Sequence, residues 1–206
     1  MADLWEDVEA ERTDLADLLA TLTPEEWDVR SLCPEWRVRD VVGHLVMGSG
    51  KLPIVKTTVG FVKAGFNLDR MLGAAAIEFG DRPTDELLAQ FREQASSHVR
   101  PPMTTSEDLL ADVTVHAQDI RRPLGKVRTI PPERLRVVLG LTIGAKLTGS
   151  KRRAAGLRFV ATDVDWSTGD GPLVEGPGEA LLMAIAGRPV ALDECSGDGV
   201  GILRDR

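Results

Sequence analysis

Apolar residues recur at helical spacing from the start of the chain. Leu4, Val8, Leu15, Leu18, Leu19 and Leu22, with acidic residues between them, predict an amphipathic helix over residues 3–22. Its acidic first turn suits the positive end of the helix dipole. Thr23-Pro24-Glu25-Glu26 reads as a cap-and-proline start for a short helical turn ending near Trp27. After a loop over residues 30–35, a helix is expected from about Trp36 to Gly48, with Val38, Val41, Val42 and Leu45 as its apolar stripe. Residues 54–79 predict an interrupted helix, broken by Gly60, Gly65 and Gly73. Thr84 opens another around Leu87, Leu88 and Phe91, closed by Pro101-Pro102. Thr105 to Asp108 opens a helix that Pro123 ends, and Pro131-Pro132-Glu133 starts one more that runs to about Gly149. Helices joined by short connections predict an antiparallel bundle over residues 1–150.

The pattern changes after Gly149-Ser150. Leu157 to Ala161 predicts a strand, the Asp- and Gly-rich segment from Asp163 to Pro172 a hairpin turn, and Leu173 to Glu175 the return strand. Residues 177–186 predict a helix stopped by Gly187-Arg188-Pro189, and Gly199 to Leu203 a last strand. Residues 151–206 therefore read as a small α+β appendage, too short to stand alone and expected to pack on the bundle. The fold class is mainly α: a helical bundle with a small C-terminal α+β region.

Composition narrows the function. A formal net charge of -7 and a pI near 5.1 argue against nucleic acid or an anionic membrane as the main partner. No run approaches the roughly 18 apolar residues of a membrane span. The acidic N-terminus lacks the basic and apolar regions of a signal peptide. Cys33 and Cys195 lie far apart with no CxxC spacing, so a reducing, cytoplasmic location is expected. There is no P-loop, no GxGxxG after a strand and no GxSxG elbow.

The candidate chemistry lies with the three histidines. On a helix, Asp112 and His116 are four residues apart and share one face, with Asp119 a turn further along. Leu109, Val113 and Ile120 border that stripe, so it faces the bundle interior or its rim. Unpaired polar groups there would cost a few kcal/mol each. A metal, or a tight hydrogen-bond network, would satisfy them. If the helix bearing His44 packs alongside, His44, Asp112 and His116 form a three-ligand set with an open fourth position, the pattern of a catalytic zinc site. Asp119 is placed either to orient a ligand imidazole or to pair with Arg122. His98 reads as a residue at a helix C-terminus, Cys33 as a buried structural thiol and Trp36 as a core anchor.

Two segments carry a family resemblance. Ser31-Leu-Cys-Pro-Glu-Trp-Arg-Val-Arg-Asp-Val-Val-Gly-His-Leu45 resembles a signature of the mycothiol-dependent maleylpyruvate isomerase family, and Val115-His-Ala-Gln-Asp-Ile-Arg-Arg-Pro-Leu-Gly125 resembles a second one. Ala161 to Trp166, Gly187 to Pro189 and Gly197 to Gly199 are similar to the C-terminal region of many members. The resemblance implies a DinB-like antiparallel four-helix bundle and a divalent metal, usually zinc (Zn2+), held by His44, Asp112 and His116. Asp112 stands where the isomerase pattern has glutamate, one methylene longer. The resemblance also implies mycothiol, the small thiol of actinobacteria, as cosubstrate, and hence a transferase or isomerase acting on a small electrophile. Arg188 is the candidate to hold a substrate carboxylate. Two other readings stay open: a non-catalytic metal-binding protein with a sensor or binding role, and a metal hydrolase with Asp119 as general base. A monomer or a homodimer is expected.

Overall fold

The computed structural model of the chain describes residues 4–48, 68–101, 104–145 and 148–206. Most of the interrupted helix expected over residues 54–79 lies outside them; its end is described. Contacts divide the chain into two compact units, Met1–Val127 and Arg128–Arg206.

The first unit is helical: α1 (Trp5–Leu19), α2 (Pro24–Trp27), α3 (Val38–Gly48), α4 (Leu68–Gly80), α5 (Thr84–Glu93) and α6 (Ser106–Arg121). Two helices start on reciprocal caps. The Thr23 hydroxyl accepts from Glu26 N–H while the Glu26 carboxylate accepts from Thr23 N–H, with Pro24 in the first turn. Thr105 and Asp108 make the same box at α6, with aspartate in the usual glutamate position. The core is made by α1, α3, α5 and α6: Leu15 and Leu19 meet Val38, Val41, Val42 and Leu45, Leu87 and Phe91, and Val113, Ala117 and Ile120. This is the mainly helical bundle that the apolar spacing predicts.

Helix α4 lies against α3 at a point where backbone meets backbone. A Cβ on Gly43 would stand 2.7 Å from the Ala76 carbonyl oxygen, and one on Gly80 would stand 2.8 Å from Asp40 Cα. Both approaches are possible only for glycine. Beside this crossing Asp40, 1% exposed, accepts from the Arg37 backbone N–H and guanidinium at 2.8–2.9 Å, and Arg37 also reaches Asp81 at 2.7 Å. Asp40 thus caps the start of α3, which begins at Val38 rather than at Trp36.

The second unit holds α7 (Pro132–Gly144), α8 (Ser150–Ala154), β1 (Arg158–Ala161), β2 (Ser167–Thr168), β3 (Leu173–Gly176), α9 (Gly178–Ile185), a 3-10 helix (Pro189–Glu194) and α10 (Gly199–Arg204). The division falls at residue 127, whereas the sequence changes character near residue 150. The difference is α7, which packs on the buried helix α9 and so joins the strands. Every residue of α9 from Ala180 to Ile185 is 3% exposed or less.

Two sequence expectations fail in this unit. The strand order is β2-β1-β3, with β1 antiparallel to β2 and parallel to β3. Leu173–Gly176 is therefore not a hairpin return, because Ser167–Thr168 already takes that edge of β1. Residues 199–203 are not a strand but part of helix α10. Gly199 and Leu203 are buried while Gly201, which a strand would place on the same face, is exposed, so the burial follows a helical and not a strand period. A Cβ at Gly199 would come 2.7 Å from the Pro172 carbonyl oxygen, so the helix starts hard against the chain entering β3.

Candidate metal centre

All three metal-ligand candidates lie in the first unit, on two helices that pack together. His44 comes from the middle of α3, where Val41, Val42, Leu45 and Val46 bury that helix. Asp112 and His116 come from successive turns of α6. The structure brings them within reach of a single ion: Asp112 Oδ1 stands 3.6 Å from His44 Nε2 and 3.4 Å from His116 Nε2. One donor atom from each lies within 4.8 Å of the others. The two rings meet edge-on with centroids 4.9 Å apart. Trp36 packs over both, 5.3 Å from His44 and 6.1 Å from His116, so the expected core anchor also walls the site.

These separations suit a cation better than direct bonds. Good N–H to O hydrogen bonds span about 2.7–3.2 Å, shorter than either contact. Ligands around a tetrahedral zinc with bonds of about 2.05 Å sit about 3.3 Å from each other. One carboxylate oxygen held between two Nε2 atoms at 3.4 and 3.6 Å therefore matches the edges of a zinc coordination shell. His44 Nδ1 is buried with no hydrogen-bond partner among the described residues, so nothing there fixes which nitrogen of that ring carries the proton.

The electrostatics point the same way. Asp112 keeps 40% of its side chain open to solvent yet is densely surrounded. That crowding works against its charge, but His116 and His44 outweigh it and hold the carboxyl well below the usual carboxylate range. For His116, burial disfavours the imidazolium, while Asp112, Asp119 and Cys33 favour it and push its pKa well above the usual value. Such a cluster attracts positive charge, whether protons or a divalent cation.

Behind this cluster lies a buried group. Asp119, fully buried, bonds through Oδ2 to His116 Nδ1 at 2.9 Å. This is the contact that one of the two roles expected for Asp119, orientation of the imidazole, requires. Cys33 Sγ donates to the same Oδ2 at 3.0 Å and stands 3.5 Å from His116 Nδ1. That proximity is invisible in the sequence, where Cys33 and His116 are separated by 83 residues. The only local signal was the position of Cys33 in the same segment as Trp36 and His44. His98 is not at a helix end: it lies beyond α5 and stacks on Trp5, with centroids 4.4 Å apart and planes at 9°. Arg188 lies in the second unit, where Nη1 donates to the Ala186 carbonyl at 2.6 Å.

Residues 8–121, more than half of the chain, match the family described as the mycothiol maleylpyruvate isomerase N-terminal domain. The chain belongs to this family. The matched region holds the whole His44, Asp112 and His116 cluster and ends with α6. The fold of this family member is similar to the crystal structure of a mycothiol-dependent maleylpyruvate isomerase and to that of its histidine-to-alanine variant. Each superposes with a TM-score of 0.64 over 96% of both chains at 14% identity, a likeness of fold over nearly the whole length. No curated protein matches the sequence. No helix among the described residues is long and apolar enough to cross a membrane.

Proposed function

We propose that this protein is a metal-dependent enzyme that uses a small thiol, mycothiol, to act on a small electrophilic substrate by transfer or isomerisation. The observation that carries the reading is the His44, Asp112 and His116 set, three ligands from two helices with a partly solvent-open carboxylate among them. Zinc suits this donor set of two imidazoles and one carboxylate. When bound, such an ion supplies Lewis acidity that makes a coordinated thiol nucleophilic at neutral pH.

The chain's own residues prepare the site. His116 would hold the ion through Nε2, with Asp119 bonded to its Nδ1 from behind. Asp112 would supply the negative charge that offsets the cation. Trp36 closes one side of the two rings and keeps water from that flank. A hydrolase would need a base beside the bound water. Asp119 is poorly placed for that task, because its Oδ2 engages the ring nitrogen opposite the one that faces Asp112. The thiol reading needs no such base and is favoured for that reason.

The test is turnover with purified, zinc-loaded protein, mycothiol and a panel of activated alkenes, epoxides and halides that includes maleylpyruvate. The expected result is consumption of at least one electrophile that requires mycothiol, stops on chelation and is absent in His44→Ala. A zinc-loaded protein inert to the whole panel would favour the non-catalytic metal-binding reading instead.

A further inference from the structure

Cys33 is one of two cysteines in the chain, and its thiol is buried against the back of the candidate metal site. The loop that carries it is tied down at both ends. Ser31 N–H and its hydroxyl both donate to the Trp36 carbonyl, and the Ser31 hydroxyl accepts from Cys33 N–H at 3.1 Å. Leu32 N–H donates to the Asp119 carbonyl at 3.1 Å, which docks the loop on the last turn of α6. The loop turns at Glu35, a non-glycine residue with φ of 69°. These restraints deliver Sγ to within 3.0 Å of Asp119 Oδ2.

Asp119 faces a particular demand. It is 0% exposed, and its Oδ2 must stay aimed at His116 Nδ1 if that ring is to turn Nε2 toward the metal. A carboxylate oxygen accepts more than one hydrogen bond, and a second donor on the same oxygen restricts rotation of the group. Cys33 provides that donor.

We infer that Cys33 is a positioning residue of the metal centre: its thiol donates to Asp119 Oδ2, and Asp119 in turn fixes the His116 imidazole with Nε2 toward the ion. This rests on the reading of His44, Asp112 and His116 as metal ligands. The chain of contacts runs thiol, carboxylate, imidazole, metal, with no atom transferred along it. It differs from a second metal site built from Cys33, His116 and Asp119, although those three residues also cluster. Their separations of 2.9 Å and 3.0 Å are hydrogen-bond distances, shorter than the edges of a zinc shell that includes sulfur. It also differs from a purely structural thiol, whose loss would lower stability without touching metal affinity.

The test compares zinc affinity, by competition with a chromophoric chelator, in the wild-type protein, Cys33→Ala and Cys33→Ser. Partners behind a metal ligand typically contribute 10- to 100-fold in affinity. Cys33→Ala, which has no donor, is expected to bind zinc about tenfold more weakly. Cys33→Ser keeps a donor and is expected to stay within about threefold of wild type. The visible spectrum of the cobalt-substituted protein should shift in the alanine variant and be restored in the serine variant. Equal zinc affinity and cobalt spectra in all three, whatever their thermal stabilities, would overturn the inference while leaving the metal site intact. Two zinc ions per chain, one lost in Cys33→Ala, would replace it with the second-site reading. A wild-type protein that binds no zinc would overturn both this inference and the reading beneath it.

Discussion

At the scale of single residues, His116 shows how one side chain is given direction. Its Nδ1 meets Asp119 at 2.9 Å and its Nε2 meets Asp112 at 3.4 Å, so each ring nitrogen has its own task. Asp112 stands where the family resemblance implies a glutamate. With 40% of its side chain open, a carboxylate one methylene longer would have room to reach an ion held between His44 and His116. Asp112→Glu is therefore expected to retain zinc at wild-type stoichiometry, measured by elemental analysis; loss of the metal would show that the shorter ligand sets the geometry. A second residue-scale prediction concerns Glu35, held in the left-handed region at φ 69°. That conformation costs an ordinary L-residue about 1–2 kcal/mol, and glycine escapes the cost in exchange for a more flexible unfolded chain. Glu35→Gly should raise stability by about 0.5–1 kcal/mol in urea denaturation. A destabilised variant would mean that the Glu35 side chain matters more than its backbone.

At the scale of elements, the candidate ligand His44 depends on how α3 sits among its neighbours. The crossing of α3 and α4 is set by Gly43 and Gly80, and Asp40 lies in the same contact. A Cβ on Gly80 would stand within 3.0 Å of the Asp40 backbone nitrogen and closer still to its Cα. Gly80→Ala is expected to destabilise the protein by about 1–3 kcal/mol, the usual cost of overpacking, read as a lower denaturation midpoint. An unchanged midpoint would show that α4 shifts freely on α3. Elements also mark where the sequence was legible. The clustering of His44, Asp112 and His116 could be read because its logic is local: a carboxylate and an imidazole four apart on one helix, and a scarce histidine on another apolar-striped one. The link from Cys33 to Asp119 spans 86 residues and depends on a loop's backbone path, so no periodicity announces it. Residues 199–203, five residues with two glycines, fit a strand as well as a helix, and only the exposure of Gly201 between buried Gly199 and Leu203 decides.

For the whole molecule, the distinction that sequence composition obscured is where the two units divide. Residues 132–144 have the amphipathic pattern of a bundle helix, and nothing in that pattern names the surface it covers. In the structure that surface belongs to α9, whose residues from Ala180 to Ile185 are buried. A fragment spanning residues 128–206 should therefore unfold cooperatively, whereas one spanning 151–206 should not, because it leaves α9 without α7. Circular dichroism during thermal unfolding distinguishes them, and a cooperative transition in the shorter fragment would put the boundary near residue 150. The family match ends at residue 121, inside the first unit, so the unit that carries the candidate ligands is also the one the family shares.

Elemental analysis decides whether His44, Asp112 and His116 hold one divalent metal. The protein would be purified without added metal and without nickel from an affinity tag, alongside His44→Ala and His116→Ala. The expected result is close to one zinc per wild-type chain, and loss of the metal in both variants while their helical circular dichroism is retained. A wild-type protein that carries no zinc and takes up none when it is supplied, or metal content unchanged in both variants, would contradict it.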